Sequence, residues 1–120
     1  MVLGKYMNII TSITAQPKQN FIIPLDNNEQ VDVNLYYYPS QKAWYYDFQY
    51  NDYISCGNKV VLNLNSLRYL RKLIPFGFGF VSNTNADPFQ LESFVNQECM
   101  MIVWNQDEVQ MLEDNIYNVA

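Results

Sequence analysis

Between Ala43 and Tyr50 every second residue is a large aromatic, Trp44, Tyr46, Phe48 and Tyr50, with Tyr45, Asp47 and Gln49 in the gaps. A period of two belongs to a strand whose side chains point alternately to opposite faces, and aromatic rings favour such a pleated, half-buried surface. The stretch Gln30 to Tyr38 just before it has the same period, with Val31, Val33, Leu35 and Tyr37 on one side and Asp32, Asn34, Tyr36 and Tyr38 on the other. Pro39 to Lys42 joins the two as a turn, and Asp26-Asn27-Asn28 makes another ahead of them, through side chains that hydrogen-bond the local backbone. Neighbouring strands of this kind commit the chain to an antiparallel sheet with one apolar face. The rest of the sequence has to cover that face.

Further elements follow from local signals. Asn20 to Leu25 is the preceding strand, Asn51-Asp52 a tight turn into Tyr53 to Cys56, and Gly57 a bulge or a position of positive φ. Lys59 to Leu64 predicts another strand, with Val60, Leu62 and Leu64 inward and Asn63 and Asn65 outward. Ser66 is placed to cap a short helix, Leu67 to Leu73, in which Leu67, Leu70 and Leu73 share a face and which Pro75 ends. Phe76 to Val81 reads as a strand whose Gly77 and Gly79 permit a tight bend or a close backbone approach. Asp87-Pro88, with Gln90 three residues past the Asp, predicts a one- or two-turn helix to Val95. Cys99 to Trp104 is a continuous apolar strand, buried on both faces or central in its sheet. Val109, Leu112, Ile116 and Val119 then recur at helical spacing in an acidic tail, a stripe that either folds back on its own domain or meets another subunit. The fold class is mainly β with one or two short helices: a small antiparallel β-barrel or sandwich with an amphipathic C-terminal tail. Residues 1–19 form an N-terminal segment, 20–105 the β-barrel-like domain and 106–120 the tail.

Composition narrows the chemistry. The 120 residues are 49% hydrophobic and 16% charged, enough to bury one core and unlike a disordered chain. Histidine is absent, which removes the usual proton shuttle near neutral pH and the commonest transition-metal ligand. Seven Lys and Arg against twelve Asp and Glu give a net charge of -5, a poor match to a phosphate backbone, so no nucleic-acid partner is expected. No basic residue follows Lys72, whereas Asp87, Glu92, Glu98, Asp107, Glu108, Glu113 and Asp114 all do. Arg68, Arg71 and Lys72 form a basic cluster that either meets an acidic neighbour or is a solvated face. Cys56 and Cys99 belong to no CxxC pair and are expected to be buried thiols. The N-terminus is too polar for a signal-peptide core, and the longest apolar run is far short of the ~20 residues of a membrane span.

No base, nucleophile and oxyanion-donor set can be assembled from these residues, so neither an enzyme nor a cofactor is expected. Asp47 and Asp52, near a hairpin turn, are the sort of carboxylates that satisfy backbone amides. The fifteen Asn and nine Gln reflect either an AT-rich genome or a surface that makes many uncharged hydrogen bonds. Tyr36, Tyr38 and Tyr45, on the face opposite the apolar one, are a platform for sugar or protein. This keeps a carbohydrate-binding β-module for host adhesion as the alternative function.

Taken together, NFIIPLDNNEQVDVNLYYYPSQKAWYYDFQYNDYISCGNKVVLNLNSLRYL and the segments after it resemble the cyanophage-type baseplate plug family of contractile-tailed bacteriophages, also described as ripcord-like fasteners. The resemblance rests on Phe21 with Leu25, Trp44 with Asp47, Asn51-Asp52, Gly57, Val60 to Leu64, Leu67 with Leu70, Pro75 to Gly79, Asp87-Pro88 and Met101 to Trp104. It spans roughly Asn8 to Asn105. The stretch Met1 to Tyr6 and the long acidic tail depart from the family pattern. The resemblance implies a structural virion protein of the tail baseplate, made in the host bacterial cytoplasm. It would connect the hub and tube end to wedge or sheath-initiator subunits, in several copies of a symmetric assembly. Arg68, Arg71, Lys72, Val109, Leu112, Ile116, Tyr36 and Tyr38 are the candidate protein-interaction residues.

Overall fold

The computed structural model describes residues 8–26 and 28–117. Its strands are β1 (Asn8–Ile10), β2 (Lys18–Pro24), β3 (Gln30–Tyr38), β4 (Ala43–Tyr50), β5 (Tyr53–Lys59), β6 (Phe76–Ser82) and β7 (Cys99–Asn105). One helix, α1 (Gln106–Leu112), comes after them and runs into a π-helical turn, Glu113–Tyr117. The strands make two antiparallel sheets, one ordered β2-β3-β4-β5 and the other β1-β7-β6. They face each other as an open sandwich. The predicted choice between barrel and sandwich therefore resolves to the sandwich.

The four-stranded sheet is the meander that the alternation predicts. Val31, Val33, Leu35, Trp44, Tyr46 and Phe48 are buried, whereas Asp32, Asn34 and Gln49 are exposed. Against this apolar face lie Phe76, Phe78 and Phe80 of β6 with Cys99, Met101 and Val103 of β7. Rings meet edge to face across the gap: Tyr46 to Phe78 at 5.2 Å and Phe48 to Phe78 at 5.6 Å between centroids. Such pairs add about 0.5–1.5 kcal/mol each beyond the area they bury.

The three-stranded sheet is covered on its second face as well. Ile102 and Trp104 point away from the sandwich interior and pack with Val109 and Leu112 of α1. The layer order is thus four-stranded sheet, three-stranded sheet, C-terminal helix. It explains why residues 99–104 are continuously apolar: β7 is central in its sheet and buried on both faces. Asn105 caps α1 through a capping box, its side chain accepting from Glu108 N–H at 2.8 Å while Glu108 Oε1 accepts from Asn105 N–H at 2.8 Å.

Several local expectations are corrected. Lys59 to Leu64 is not a full strand: β5 ends at Lys59, and afterwards only Asn63 bridges Phe80. Asn65 does not point outward but is 1% exposed, its Oδ1 accepting from Leu67 N–H at 3.1 Å. That side chain, rather than Ser66, caps the next turn of the chain. The helix predicted over Leu67 to Leu73 is a single 3-10 turn, Arg68–Leu70, in which Leu67 and Leu70 are buried while Leu73 is 75% exposed and Ile74 takes the inward place. The helix predicted from Asp87 to Val95 is a series of turns. Asp87 caps no helix; its Oδ1 accepts from Leu62 N–H at 2.9 Å, a contact 25 residues back. Cys56 is exposed, whereas Cys99 is buried as expected. At the N-terminal side, Asn8–Ile10 pairs with β7 and Ile13 is buried in the main core. Asn27 of the predicted turn, Val119 of the predicted stripe and the stretch Met1 to Tyr6 lie outside the described residues.

Gly77 and Gly79 do admit a close approach. A Cβ on Gly79 would stand 2.1 Å from the Leu64 carbonyl oxygen and 2.2 Å from that of Asn63, and one on Gly77 would stand 2.6 Å from Asn65 Oδ1. The alternate glycines of β6 form the groove into which residues 63–65 are laid. There Asn63 N–H donates to Phe80 O at 3.0 Å, Phe80 N–H returns the bond at 2.8 Å, and Ser66 N–H donates to Phe78 O at 2.8 Å.

Candidate functional site

The basic cluster is held by the acidic tail of the same chain. Arg68 Nε donates to Glu113 Oε2 at 2.8 Å and its Nη2 to Glu113 Oε1 at 3.1 Å, while Arg71 Nε lies 3.1 Å from Glu113 Oε1. The hydrogen bonds from Arg68 hold the Glu113 carboxyl below the usual carboxylate range. The Arg68 guanidinium also sits over the Tyr117 ring, 4.4 Å from its centroid. Tyr117 OH donates to Asn63 Oδ1 at 2.6 Å and accepts from Asn65 N–H at 3.0 Å. One carboxylate, two guanidinia and one phenol therefore clasp the tail to the groove segment. Lys72 stays exposed beside them, as do Tyr69 and Leu73.

The helical stripe has separated into two parts. Val109 and Leu112 are buried against Ile102 and Trp104, which takes them off the surface; Ile116, 38% exposed, remains at the rim. Of the two readings left open for this stripe, the structure shows the fold-back.

The tyrosine platform lies on the outer face of the four-stranded sheet. Tyr36 and Tyr45 are stacked with centroids 6.1 Å apart, and Tyr38 meets both, at 5.4 and 5.2 Å. Tyr38 is 45% exposed. Tyr36 OH donates to Asp47 Oδ1 at 2.8 Å, and burial together with this carboxylate pushes its pKa up to about 12. The same Asp47 oxygen accepts from Gly57 N–H at 2.8 Å. The bonds fit the register: Tyr46 pairs with Asn58 and Phe48 with Ser55, so Cys56 and Gly57 together oppose Asp47. Gly57 carries the bulge with φ +72°. Asp47 thus satisfies a backbone amide, as expected of it, and also fixes a ring of the platform. Tyr45 OH donates to Gln41 Oε1 at the β3–β4 turn.

Pairing adds residues that the sequence alone did not single out. Lys18 stands opposite Tyr36, Tyr36 opposite Tyr45, and Tyr45 opposite Lys59, so one rung across the whole sheet reads Lys, Tyr, Tyr, Lys on its outer face. Both lysines are exposed, and Lys42 lies in the turn at the same end. The period-two pattern gives the face of each residue, but the rung needs the register between strands. Elsewhere, no group of three or more Cys, Asp or Glu able to hold a metal occurs among the described residues. Burial pushes the Cys99 thiol up to about 12, far from nucleophilic poise. No helix among the described residues is long and apolar enough to cross a membrane.

Among curated proteins none matches the chain. A family model described as the cyanophage baseplate Pam3 plug gp18 matches residues 7–107, which takes in both sheets and the cap of α1. The family implies a structural, non-enzymatic protein of the bacteriophage tail, associated with other baseplate proteins in the virion. By that match, on an antiparallel sandwich of the expected class, this chain belongs to the cyanophage baseplate plug family.

Proposed function

We propose that the chain acts mechanically, as a plug or fastener that connects the hub and tube end to neighbouring wedge or sheath-initiator subunits, in several copies around a symmetric axis. The observation that carries this reading is the family match over residues 7–107 set on a body braced in three layers. Interiors packed to crystal-like density resist compression, which a wedged part needs. On that flank Lys72, Tyr69, Leu73 and Ile116 are exposed and Arg68 and Arg71, paired with Glu113, stay partly so, with the tyrosine platform on the opposite side of the sandwich. Cryo-electron microscopy of intact and gene-deleted tails tests the proposal. Density for this sandwich at the junction of hub and tube, and loss of hub attachment on deletion, is the expected result. Density elsewhere in the particle, or normal baseplates without the chain, would remove it.

A second reading, a carbohydrate-binding module, draws on the cluster of exposed Tyr38 with half-buried Tyr36 and Tyr45, whose flat faces suit a sugar ring. Glycan binding that is lost on Tyr38→Ala would favour it.

A further inference from the structure

We infer that the Lys18–Tyr36–Tyr45–Lys59 rung, with Tyr38 beside it, is the docking face for an acidic protein segment of a neighbouring baseplate subunit. The inference rests on the proposed function and names which surface is used and what it takes. In a chain of net charge -5, six basic residues lie within the described part: Lys18, Lys42, Lys59, Arg68, Arg71 and Lys72. Arg68 and Arg71 are engaged with Glu113. Of the remaining four, three gather at the tyrosine end of one sheet: Lys18 and Lys59 opposite Tyr36 and Tyr45, and Lys42 in the turn that joins β3 to β4. The outer-face carboxylates further along these strands already have partners: Asp47 accepts from Tyr36 and Gly57, and Asp32 from Asn20 Nδ2. Beside the rings three ammonium groups, Lys18, Lys42 and Lys59, face one carboxylate, Asp47, so positive charge is in excess there.

Four strands spaced about 4.8 Å apart put the two lysine Cα atoms about 14 Å from each other, with two stacked rings between them. A neutral sugar would use the rings and leave both ammonium groups idle. An acidic segment laid across the rung reaches rings and lysines together, and complementary charge of this kind sets register and suppresses wrong partners. The rings are also preorganised: Tyr36 is pinned by Asp47 and Tyr45 by Gln41, so little rotamer freedom is lost on docking.

The test is Lys18→Glu/Lys59→Glu in the full-length chain, expressed from the phage, with purified tails probed for the protein and imaged. Both side chains are exposed, so the thermal midpoint of the isolated variant should stay at the wild-type value. Incorporation should fall about tenfold or more, and Lys18→Arg/Lys59→Arg should restore it. Images of wild-type tails should show Asp or Glu side chains of a neighbour within ion-pair distance of Lys18 and Lys59. Wild-type incorporation of the Glu variant, a face open to solvent in the particle, or a face occupied by a second copy of this chain or by glycan would overturn the inference while leaving the plug role standing. Wild-type protein missing from the tails would instead remove the plug role, and this inference with it.

Discussion

In the four-stranded sheet each strand is closed by the backbone ladder of its sequence neighbour: β2 on β3, β3 on β4, β4 on β5. Across the sandwich, residues 60–75 have almost no ladder of their own, and their polar backbone groups are met from far along the chain. Leu62 N–H goes to Asp87, Asn65 N–H to Tyr117, the Leu64 carbonyl to Trp104 Nε1 at 2.8 Å, and Asn63 to Phe80. The first region is held by local pairing and burial of one face. The second is held by side chains that arrive only once the whole molecule has formed, so it should fail more cooperatively when one remote support is removed.

The largest break should come from deleting Asp107 to Ala120. Burial of Val109 and Leu112 is worth about 3–6 kcal/mol together, and the deletion uncovers Trp104 and Ile102 and takes the Tyr117 hydroxyl away from Asn63 and Asn65. Urea unfolding should show a stability drop of that order. Such a truncation therefore reports on stability as well as on docking. Next, Gly79→Ala forces a Cβ onto two backbone oxygens that cannot swing aside, at an expected cost of more than about 3 kcal/mol.

Its counterpart in the four-stranded sheet, Gly57→Ala, meets nothing within 4 Å and bears only the left-handed backbone conformation, about 1 kcal/mol. Equal losses for the two glycines, read from the same denaturation curves, would erase the contrast between the regions. A thiol reagent should label one cysteine of the native protein, Cys56 on the exposed edge strand, and both after unfolding, because Cys99 is buried and its thiolate disfavoured.

The smallest effect belongs to the clasp. The folded-state pKa of Glu113 is depressed, so its contribution is complete above the unfolded carboxylate value of about 4.3 and fades as pH falls through the folded value. Glu113→Gln should lower the thermal midpoint slightly at neutral pH, and the gap from wild type should close in acid. A gap that persists at low pH would mean that Glu113 acts by packing rather than by charge.

The difference between the regions also explains what could be read early. Strand periods at Gln30 to Tyr38 and Ala43 to Tyr50 are set by residues two apart, so their faces were legible from the sequence, as was the close approach implied by Gly77 and Gly79. The Leu67 to Leu73 helix was not, because Asn65 Oδ1 turns the chain at Leu67 and the amides of Arg71 and Leu73 reach back three residues, in tighter turns than an α-helix makes. Asp87 looked like a helix cap because local spacing cannot reveal that its oxygen is needed by Leu62. The basic cluster was visible, but not its internal partner 45 residues away.

By itself, then, the sequence determined the antiparallel, mainly β class, the apolar face of the meander, the doubly buried β7 and the absence of histidine chemistry. These depend on composition and on side-chain periods within a few residues. Tertiary structure alone decided that the sandwich stays open, that the acidic tail becomes its third layer, that Glu113 pairs with both arginines, and that Lys18 and Lys59 flank the tyrosine row. Each of these is a contact between residues far apart in the chain, and a one-dimensional pattern carries no distance between such residues until strand register and layer order bring them together.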